Sequence, residues 1–319
     1  MLFNEPQTDP AVRHLSSSLL GESAAILTSC LWTGSSILFT SAGKRIGFFS
    51  LNAYRSAIAV ALLATAHIVL LGSVLPMASS GQWFWMGLSG VVGLGIGDFG
   101  LFASYVLIGP RRAVLVMAMS PIFASIGAYF FLGETFSTLS ALGIAVTLTG
   151  IVVVLADKRE EQGKMSGTGK KKMLGVMCAL VATVGQGFGV VLSKKGMYVG
   201  ADAAMNPLSA ALIRMTLATL FVWGCAVFLQ KRPELHSAVK NREGMKYAFG
   251  GALIGPFVGM TLSMVAVAYA QAGIAQTLMS LMPIMIIPVI WVVYKERTNW
   301  RGILGAAIAV TGVAILFLT

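Results

Sequence analysis

Apolar runs alternate with polar links along the whole of this chain. Each run is about 20 residues long, which lets an α-helix rising about 1.5 Å per residue cross a hydrocarbon core of about 30 Å. Most links are short, so neighbouring helices are expected to form antiparallel hairpins. The pattern therefore predicts ten membrane spans, numbered one to ten, over residues 21–40, 50–72, 83–108, 113–132, 136–156, 173–192, 207–229, 247–270, 274–294 and 299–318.

The second half of the chain repeats the first. Residues 117–150 and 279–312 superpose at one offset of 162 residues, with a proline, a glutamate and a pair of glycines in the same register. Five spans per half place the second half upside down relative to the first, which is the inverted-repeat plan of many transporters. The predicted organisation is an N-terminal tail over 1–20, a first repeat over 21–156, a polar linker over 157–172 and a second repeat over 173–319.

Composition supports an all-α integral membrane protein. The chain is 56% hydrophobic and 11% charged, with a mean hydropathy of +0.82, so polar residues are too few to cover a soluble domain of this size. The net charge of +11 comes from lysines and arginines clustered between the apolar runs. This distribution marks membrane topology and argues against nucleic-acid binding.

Neither a metal site nor a disulfide framework is expected. The cysteines Cys30, Cys178 and Cys225 each lie inside an apolar run with no CxxC motif nearby, and small buried hydrophobic residues are the expected role. No Walker A motif is present, so direct use of ATP is not expected. Residues 1–20 lack a basic start and an apolar core, which predicts no cleavable signal peptide.

Asp98 is the one acidic residue deep inside a predicted span. A charged side chain there costs roughly 2.5–3.5 kcal/mol on insertion scales, so it must be neutral, paired or facing water. One interpretation makes Asp98 a proton- or cation-binding group. The other makes it a hydrogen-bonded acid that only ties spans together, and the sequence shows no partner for it. The equivalent residue in the second repeat is Met260, so the shared fold does not itself need an acid here.

Spans four and nine each carry a proline near the middle. Because Pro121 and Pro283 lack an N–H, they free the carbonyl groups of Met117 and Met279. A freed carbonyl inside a bilayer needs a protein, water or ligand partner, so broken helices at matching positions point to a binding cavity. Ordinary kinks satisfied by neighbouring serines are the alternative. The substrate-binding candidates in these segments are Met117, Ser120, Pro121, Met279, Met282 and Pro283.

Amphipathic side chains on other spans complete the predicted site. An aromatic face with amide donors suits a small amphipathic solute, and the candidates are Trp32, Tyr105, Gln186 and Gln276. Other polar residues are given structural roles. Arg55 and Arg214 are expected to snorkel to the interface, Glu134 and Glu296 to cap helices, Tyr269 and Gln271 to lie at the membrane boundary, and His67 to be a core histidine.

These features resemble the ten-span EamA-like permeases of the drug/metabolite transporter superfamily. The resemblance is carried by Leu31-Trp32 with Gly34, by the paired prolines, and by the spacing of Glu134-Gly143-Gly150 and Glu296-Gly305-Gly312. It implies that spans one to four and six to nine surround a central cavity, with spans five and ten packed outside. The chain departs from the pattern at Thr33, before the glycine, and at Gln186, where a second tryptophan would stand.

The expected function is secondary active transport of a small metabolite, an amino-acid-like or other small amphipathic solute, with efflux across the bacterial inner membrane as the expected direction and location. Alternating access, with protons as a further candidate partner at Asp98, is the expected mechanism. A passive facilitator or an exchanger without ion coupling is the alternative. No enzymatic activity, cofactor or obligatory oligomeric partner is expected, because no catalytic motif is present.

The basic residues predict which side of the membrane holds the termini. If the N-terminus lies on side A, links on side B carry 18 lysines and arginines and those on side A carry three, leaving out Arg55 and Arg214. Because cytoplasmic loops collect positive charge, both termini are expected to face outward. The resemblance implies the opposite, since EamA-like permeases are drawn with both termini inside.

Overall fold

The structure is a computed structural model of the chain, and it describes residues 10–108, 113, 116–155, 169–200, 203–289 and 300–318. Its regular elements are helical over that part of the chain. The α-helices are α1 (Pro10–Ile46), α2 (Phe48–Leu71), α3 (Ser80–Ser89), α4 (Asp98–Ile108), α5 (Ser120–Leu132), α6 (Thr138–Leu155), α7 (Gly169–Tyr198), α8 (Pro207–Phe228), α9 (Arg232–Lys240), α10 (Arg242–Ala252), α11 (Met260–Tyr269), α12 (Ala272–Met279), α13 (Met282–Val289) and α14 (Trp300–Leu316).

Six helical stretches among the described residues are long and apolar enough to cross a membrane. They correspond to predicted spans one, two, three, six, seven and eight, and run over Ser17–Ile46, Phe48–Leu71, Ser80–Ser104, Lys170–Tyr198, Pro207–Phe228 and Arg242–Tyr269. Predicted spans four, five, nine and ten contain shorter apolar helices, over Ser120–Leu132, Thr138–Val153, Ala272–Met285 and Trp300–Leu316. The fold is thus an all-helical membrane fold.

The helix ends follow from local sequence. Gly47 alone separates α1 from α2 and has a φ of 78°, a conformation that glycine adopts without steric cost. Ser79 and Gln82 form a capping box at the start of α3. Asn206 accepts a hydrogen bond from the amide of Leu208 at the start of α8, with Pro207 in the first turn.

The predicted proline kinks are complete helix breaks. Pro121 and Pro283 each lie in the second position of a new helix, α5 and α13, where a missing N–H costs no intrahelical hydrogen bond. Before α13, the preceding helix α12 ends at Met279, and Ser280 and Leu281 form a turn. Both repeats therefore interrupt the backbone at the same position.

Two π-helical segments lie at matching positions of the repeats. One covers Gly90–Gly97 and joins α3 to α4; the other covers Leu253–Gly259 and joins α10 to α11. At the offset of 162 residues, Gly97 corresponds to Gly259, so both segments end at the same position. A π-helical turn is costly and is often retained at functional sites. Asp98 and Met260 each follow directly after such a segment.

The predicted polar link over 230–246 contains the short helix α9. Its Leu235 and Ala238 are buried, and the carbonyl oxygen of Leu235 accepts a 3.0 Å hydrogen bond from the Tyr54 hydroxyl. Helices α6 and α14 pack along each other through Gly143 and Gly150 of the first and Gly305 and Gly312 of the second. The three cysteines are free and none is fully buried, with Cys30 exposed, so the expectation of buried roles is wrong.

Candidate functional site

Asp98 has the partners that the sequence does not reveal. Its carboxylate forms an ion pair with the guanidinium of Arg55, and the two side chains are 8% and 17% exposed. Gln186 donates from Nε2 to Asp98 Oδ1 at 3.0 Å and to the carbonyl oxygen of Gly93 at 3.2 Å. The acid therefore joins α2 and α4 of the first repeat to α7 of the second.

Small residues bring these groups together. Helix α7 packs against the first π-helical segment so closely that a Cβ on Gly185 would lie 2.8 Å from the Val92 carbonyl oxygen. A Cβ on Gly189 would lie 3.0 Å from the Cα of Gly93. Such contacts let two backbones approach within a membrane, because no side chain intervenes. Gly185 and Gly189 thus bring α7 near enough to the π-helical segment for the amide of Gln186 to reach Asp98.

Arg214 lies beside the same contact between α7 and the first π-helical segment. The prediction that its side chain snorkels to a membrane interface is wrong. Its side chain is buried, and the residue is 3% exposed. The Nη2 atom would lie 3.0 Å from a Cβ on Gly93 and 3.2 Å from one on Gly189, so both glycines make room for the guanidinium. Its Nη1 atom contacts Met260 Sδ at 3.8 Å. Arg55, held by Asp98, does not match the snorkelling expectation either.

A second group of candidates meets where the helices break. Gln276 donates from Nε2 to the buried Ser120 Oγ at 2.9 Å, which joins α12 to α5. The Thr33 hydroxyl of α1 lies 3.4 Å from the carbonyl oxygen of Met282. A Cβ on Gly187 would lie 2.7 Å from the Ser120 carbonyl oxygen. On α7, Gln186 therefore faces the group around Asp98, and the next residue, Gly187, faces the group around Ser120.

The remaining candidates are placed as follows. Trp32 is partly buried, and its indole Nε1 would lie 2.9 Å from a Cβ on Gly259. Trp32 thus lies beside the second π-helical segment, whereas Gln186 lies beside the first. Met279 is 2% exposed and packs in the core, and Met117 and Pro283 are partly buried while Pro121 is buried. The side chain of Tyr105 lies outside the described residues.

Sequence reasoning missed a polar cluster at one end of the bundle. Lys194 Nζ lies 2.6 Å from Glu134 Oε1 and donates at 2.6 Å to the carbonyl oxygen of Ala270. Glu134 Oε2 accepts a 2.9 Å hydrogen bond from the amide of Ala272, the first residue of α12. Glu134 is thus a cap, as expected, but for a helix of the other repeat. Glu296 lies outside the described residues.

His67 and Gln271 make hydrogen bonds that fit structural roles. The buried His67 ring lies 2.7 Å from the Ser73 carbonyl oxygen and 2.9 Å from Ser209 Oγ, as expected of a core histidine. Gln271 donates to the carbonyl oxygen of Thr135 at 3.5 Å, and Tyr269 is 44% exposed at the end of α11. Within the described residues, His, Cys, Asp and Glu side chains form no cluster that would hold a metal ion.

Two open grooves lie away from these groups. One, of about 580 Å³, is lined by residues of α2, α9 and α10 that include Ile58, Arg242 and Phe249. The other, of about 420 Å³, lies along the start of α7. None of the predicted site residues lines either of these two grooves.

Repeated helical halves, buried charges between them and apolar outer faces define a multi-pass membrane protein of the transporter class. The comparison with protein families agrees with this class. The model of the EamA-like transporter family matches residues 19–156 and again residues 173–318. The chain belongs to the EamA-like transporter family.

Individual relatives are more distant. A Saccharomyces cerevisiae protein described as a probable transport protein is 35% identical over 71 residues, and the match spans 22% of this chain and 20% of the yeast protein. A protein of known crystal structure superposes with a TM-score of 0.72 over 95% of this chain and 96% of its own, at 19% identity. The second likeness supports the fold alone.

Proposed function

We propose that this protein is a secondary active transporter that exports a small metabolite, an amino-acid-like or other small amphipathic solute, by alternating access. The proposed fold has ten spans as two inverted five-helix repeats around a central cavity. The proposed location is the bacterial inner membrane. Family membership and the repeated architecture support transport itself.

One observation carries the mechanism. Asp98 of the first repeat is held by Gln186 of the second and by Arg55 of its own repeat. A proton on Asp98 would cancel its charge and weaken both contacts, because each is strongest to the ionised carboxylate. Protonation would then loosen a link between the two halves, which are the bodies that move against each other in alternating access. This arrangement supports proton coupling at Asp98.

The solute is expected to contact the helix breaks. Ser120 and Gln276 join α5 to α12, and Thr33 approaches Met282 from α1. Polar groups at interrupted helices can exchange their hydrogen bonds for those of a solute without unwinding a regular helix. Trp32 and the neighbouring methionines provide the apolar contacts in this proposal.

Purified protein in liposomes tests the function. The first measurement is counterflow of labelled solutes from a metabolite panel, which needs no ion gradient. The second compares uptake driven by a pH gradient in the wild type and in Asp98→Asn. We expect the variant to keep counterflow and lose the response to the gradient. Full gradient-driven uptake in a variant with unchanged counterflow would remove the coupling role.

A passive facilitator is the second candidate, favoured by the fact that Asp98 already has structural partners. It predicts wild-type counterflow with no response to a pH gradient. In that case, Asp98→Asn would change stability and leave the transport rate of the folded fraction unaltered.

A further inference from the structure

Two arginines occupy matching places in the two repeats, but only one has a carboxylate. Arg55 pairs with Asp98 directly after the first π-helical segment. Arg214, on the corresponding helix of the second repeat, contacts Met260 directly after the second segment, with 3.8 Å between Nη1 and Sδ. Met260 is the repeat equivalent of Asp98. The second repeat therefore preserves the cation and lacks its acid.

The sulfur of Met260 is a poor substitute for that acid. A thioether is a weak hydrogen-bond acceptor, and the Ser263 hydroxyl, 3.5 Å from Met260 Sδ, donates at 2.7 Å to the Met260 carbonyl oxygen instead. Arg214 Nε is buried without a hydrogen-bond partner. None of the ion pairs formed among the described residues includes Arg214. In the part of the chain that the structure describes, the Arg214 guanidinium therefore has a weak acceptor for Nη1 and none for Nε.

Asp98 does not remove this imbalance. It is close enough to Arg214 for a coulombic interaction, but its oxygens accept from Arg55 and Gln186. Two guanidinium groups, those of Arg55 and Arg214, thus share one carboxylate. A buried cation without a full counter-charge is costly, so it is retained where it has a further use.

We propose that Arg214 binds the carboxylate of an anionic or zwitterionic solute, which enters the position that Met260 Sδ holds in this structure. The solute thereby supplies the acid that the second repeat lacks. The proposal rests on the proposed transport function, because the bound group belongs to the transported solute.

The surroundings suit this exchange. Methionine is unbranched and flexible, so its side chain can turn aside without a change in the backbone. The Ser263 hydroxyl, which donates to the Met260 carbonyl oxygen at 2.7 Å, could then turn and donate to the second oxygen of the carboxylate. Trp32 lies next to Gly259, one residue before Met260, and offers an aromatic surface to the apolar part of the solute. Gly93 and Gly189 leave room for the guanidinium, because a Cβ at either position would crowd Nη2.

Thermal stability of the purified full-length protein in detergent measures binding to this site, since a ligand that binds the folded state raises its Tm. The probes are matched pairs of acid and amide, benzoate with benzamide and leucine with leucinamide, and sodium chloride at equal concentration. We expect the acids to bind about 10- to 100-fold more tightly than the amides, as charged hydrogen bonds require. Equal binding of acid and amide, or stabilisation by chloride alone, would overturn the proposal.

Variants of Met260 test the site without deleting the arginine. Met260→Asp gives Arg214 an internal partner, so we expect the fold to be at least as stable as the wild type and the preference for acids to disappear. Met260→Leu keeps an apolar side chain of similar size and should keep that preference. Arg214→Gln should lose it as well. A Met260→Asp variant that binds the acids like the wild type would show that they bind elsewhere.

Counterflow of the same probes separates this proposal from the transport function. Acid-selective stabilisation that depends on Arg214, without counterflow of any probe, would keep the anion site and count against transport. Counterflow of amides as fast as acids would keep transport and remove the anion site.

Discussion

Glu134 and Lys194 form an ion pair across the two repeats, with 2.6 Å between Oε1 and Nζ. The pair encloses the short connection between α11 and α12, because Lys194 donates to the Ala270 carbonyl oxygen and Glu134 accepts from the Ala272 amide. Both side chains are largely buried, at 17% exposure for the lysine and 12% for the glutamate. A charged contact thus ties the segment after α5 to α7 and to the start of α12 at one end of the bundle.

Removing that contact should open this end of the bundle. In a background without native cysteines, a cysteine at the buried Thr277 should react with a water-soluble thiol reagent about tenfold faster in Lys194→Met, since about 1.4 kcal/mol of lost closure shifts an equilibrium tenfold. The control is Lys195→Met, because Lys195 lies over the Trp85 ring at 4.2 Å and forms no ion pair with a described residue. Equal labelling rates in the two variants would show that the pair does not hold the end closed.

Removing one partner of the Arg55–Asp98 ion pair should lower the free energy of unfolding more than replacing both partners. Arg55→Met leaves a buried acid with only part of its hydrogen bonding, which should lower the free energy of unfolding by about 3–5 kcal/mol. The double variant Arg55→Met with Asp98→Leu should recover part of that loss, because both charges of this pair are gone, although the buried Arg214 then loses its nearby acid. Thermal unfolding in detergent measures both. A double variant as unstable as the single one would contradict this account of the pair.

Solute should protect the helix breaks from modification. Single cysteines at Ser120 and Met282 are expected to react more slowly with thiol reagents when a transported solute is saturating, because both positions lie where α5 and α13 begin. A cysteine at the exposed Ser237 should react at the same rate with and without solute. Equal labelling of Ser120 and Met282 in the two conditions would remove these segments from the site.

The glycines between α6 and α14 should not accept a side chain. A Cβ on Gly150 would lie 2.6 Å from the Gly305 carbonyl oxygen, so Gly150→Ala should lower the free energy of unfolding by about 1–3 kcal/mol through overpacking. Gly34→Ala in α1 is the control, because nothing lies within 4 Å of its Cβ position and alanine favours a helix by about 1 kcal/mol over glycine. Similar unfolding temperatures for the two variants would mean that α6 and α14 can move apart to accept the added methyl group.

The distribution of charge predicts that both termini face outward, against the usual orientation of the family. A phosphatase fused after Thr319 should be active, and a fluorescent protein fused at the same position should remain dark when exported unfolded. The reverse pair of results would reverse the orientation, since the 18 basic residues on side B would then face outward. The side assigned to the contact between Glu134 and Lys194, which is side A, would change with it.

Local pattern predicts the elements of this fold because each depends on its own residues. The paired prolines indicate interruptions at matching positions, and the repeated glycine spacing indicates packing surfaces on α6 and α14. The π-helical segments are not predicted from the sequence, although the second contains Pro256 and the first packs through Gly93 against the distant Gly189. The spacing of Gly93 and Gly97 in span three indicates a close approach of backbones, but it does not identify α7 as the partner.

The polar partners escape prediction for the same reason. Arg55 and Asp98 are 43 residues apart, and Gln186 is 88 residues from Asp98. Within its own span, Arg55 resembles an interfacial residue and Asp98 an isolated acid. One signal is present in the sequence, since Arg55 and Arg214 recur in both repeats while the acid occurs in only one. A repeated cation opposite a missing acid can be recognised by aligning the two halves of the chain.

The seam between α6 and α14 has the reciprocity of a two-fold dimer. A Cβ on Gly143 would meet the carbonyl oxygen of Gly312, and one on Gly150 would meet that of Gly305. Gly143 thus faces the repeat equivalent of Gly150, and Gly150 faces the repeat equivalent of Gly143. Such an interface is self-complementary in the way that homodimer interfaces are. A larger residue on one helix would therefore require a compensating change at the position that it contacts on the other helix. In this respect one polypeptide has the symmetry of an assembly of two identical subunits.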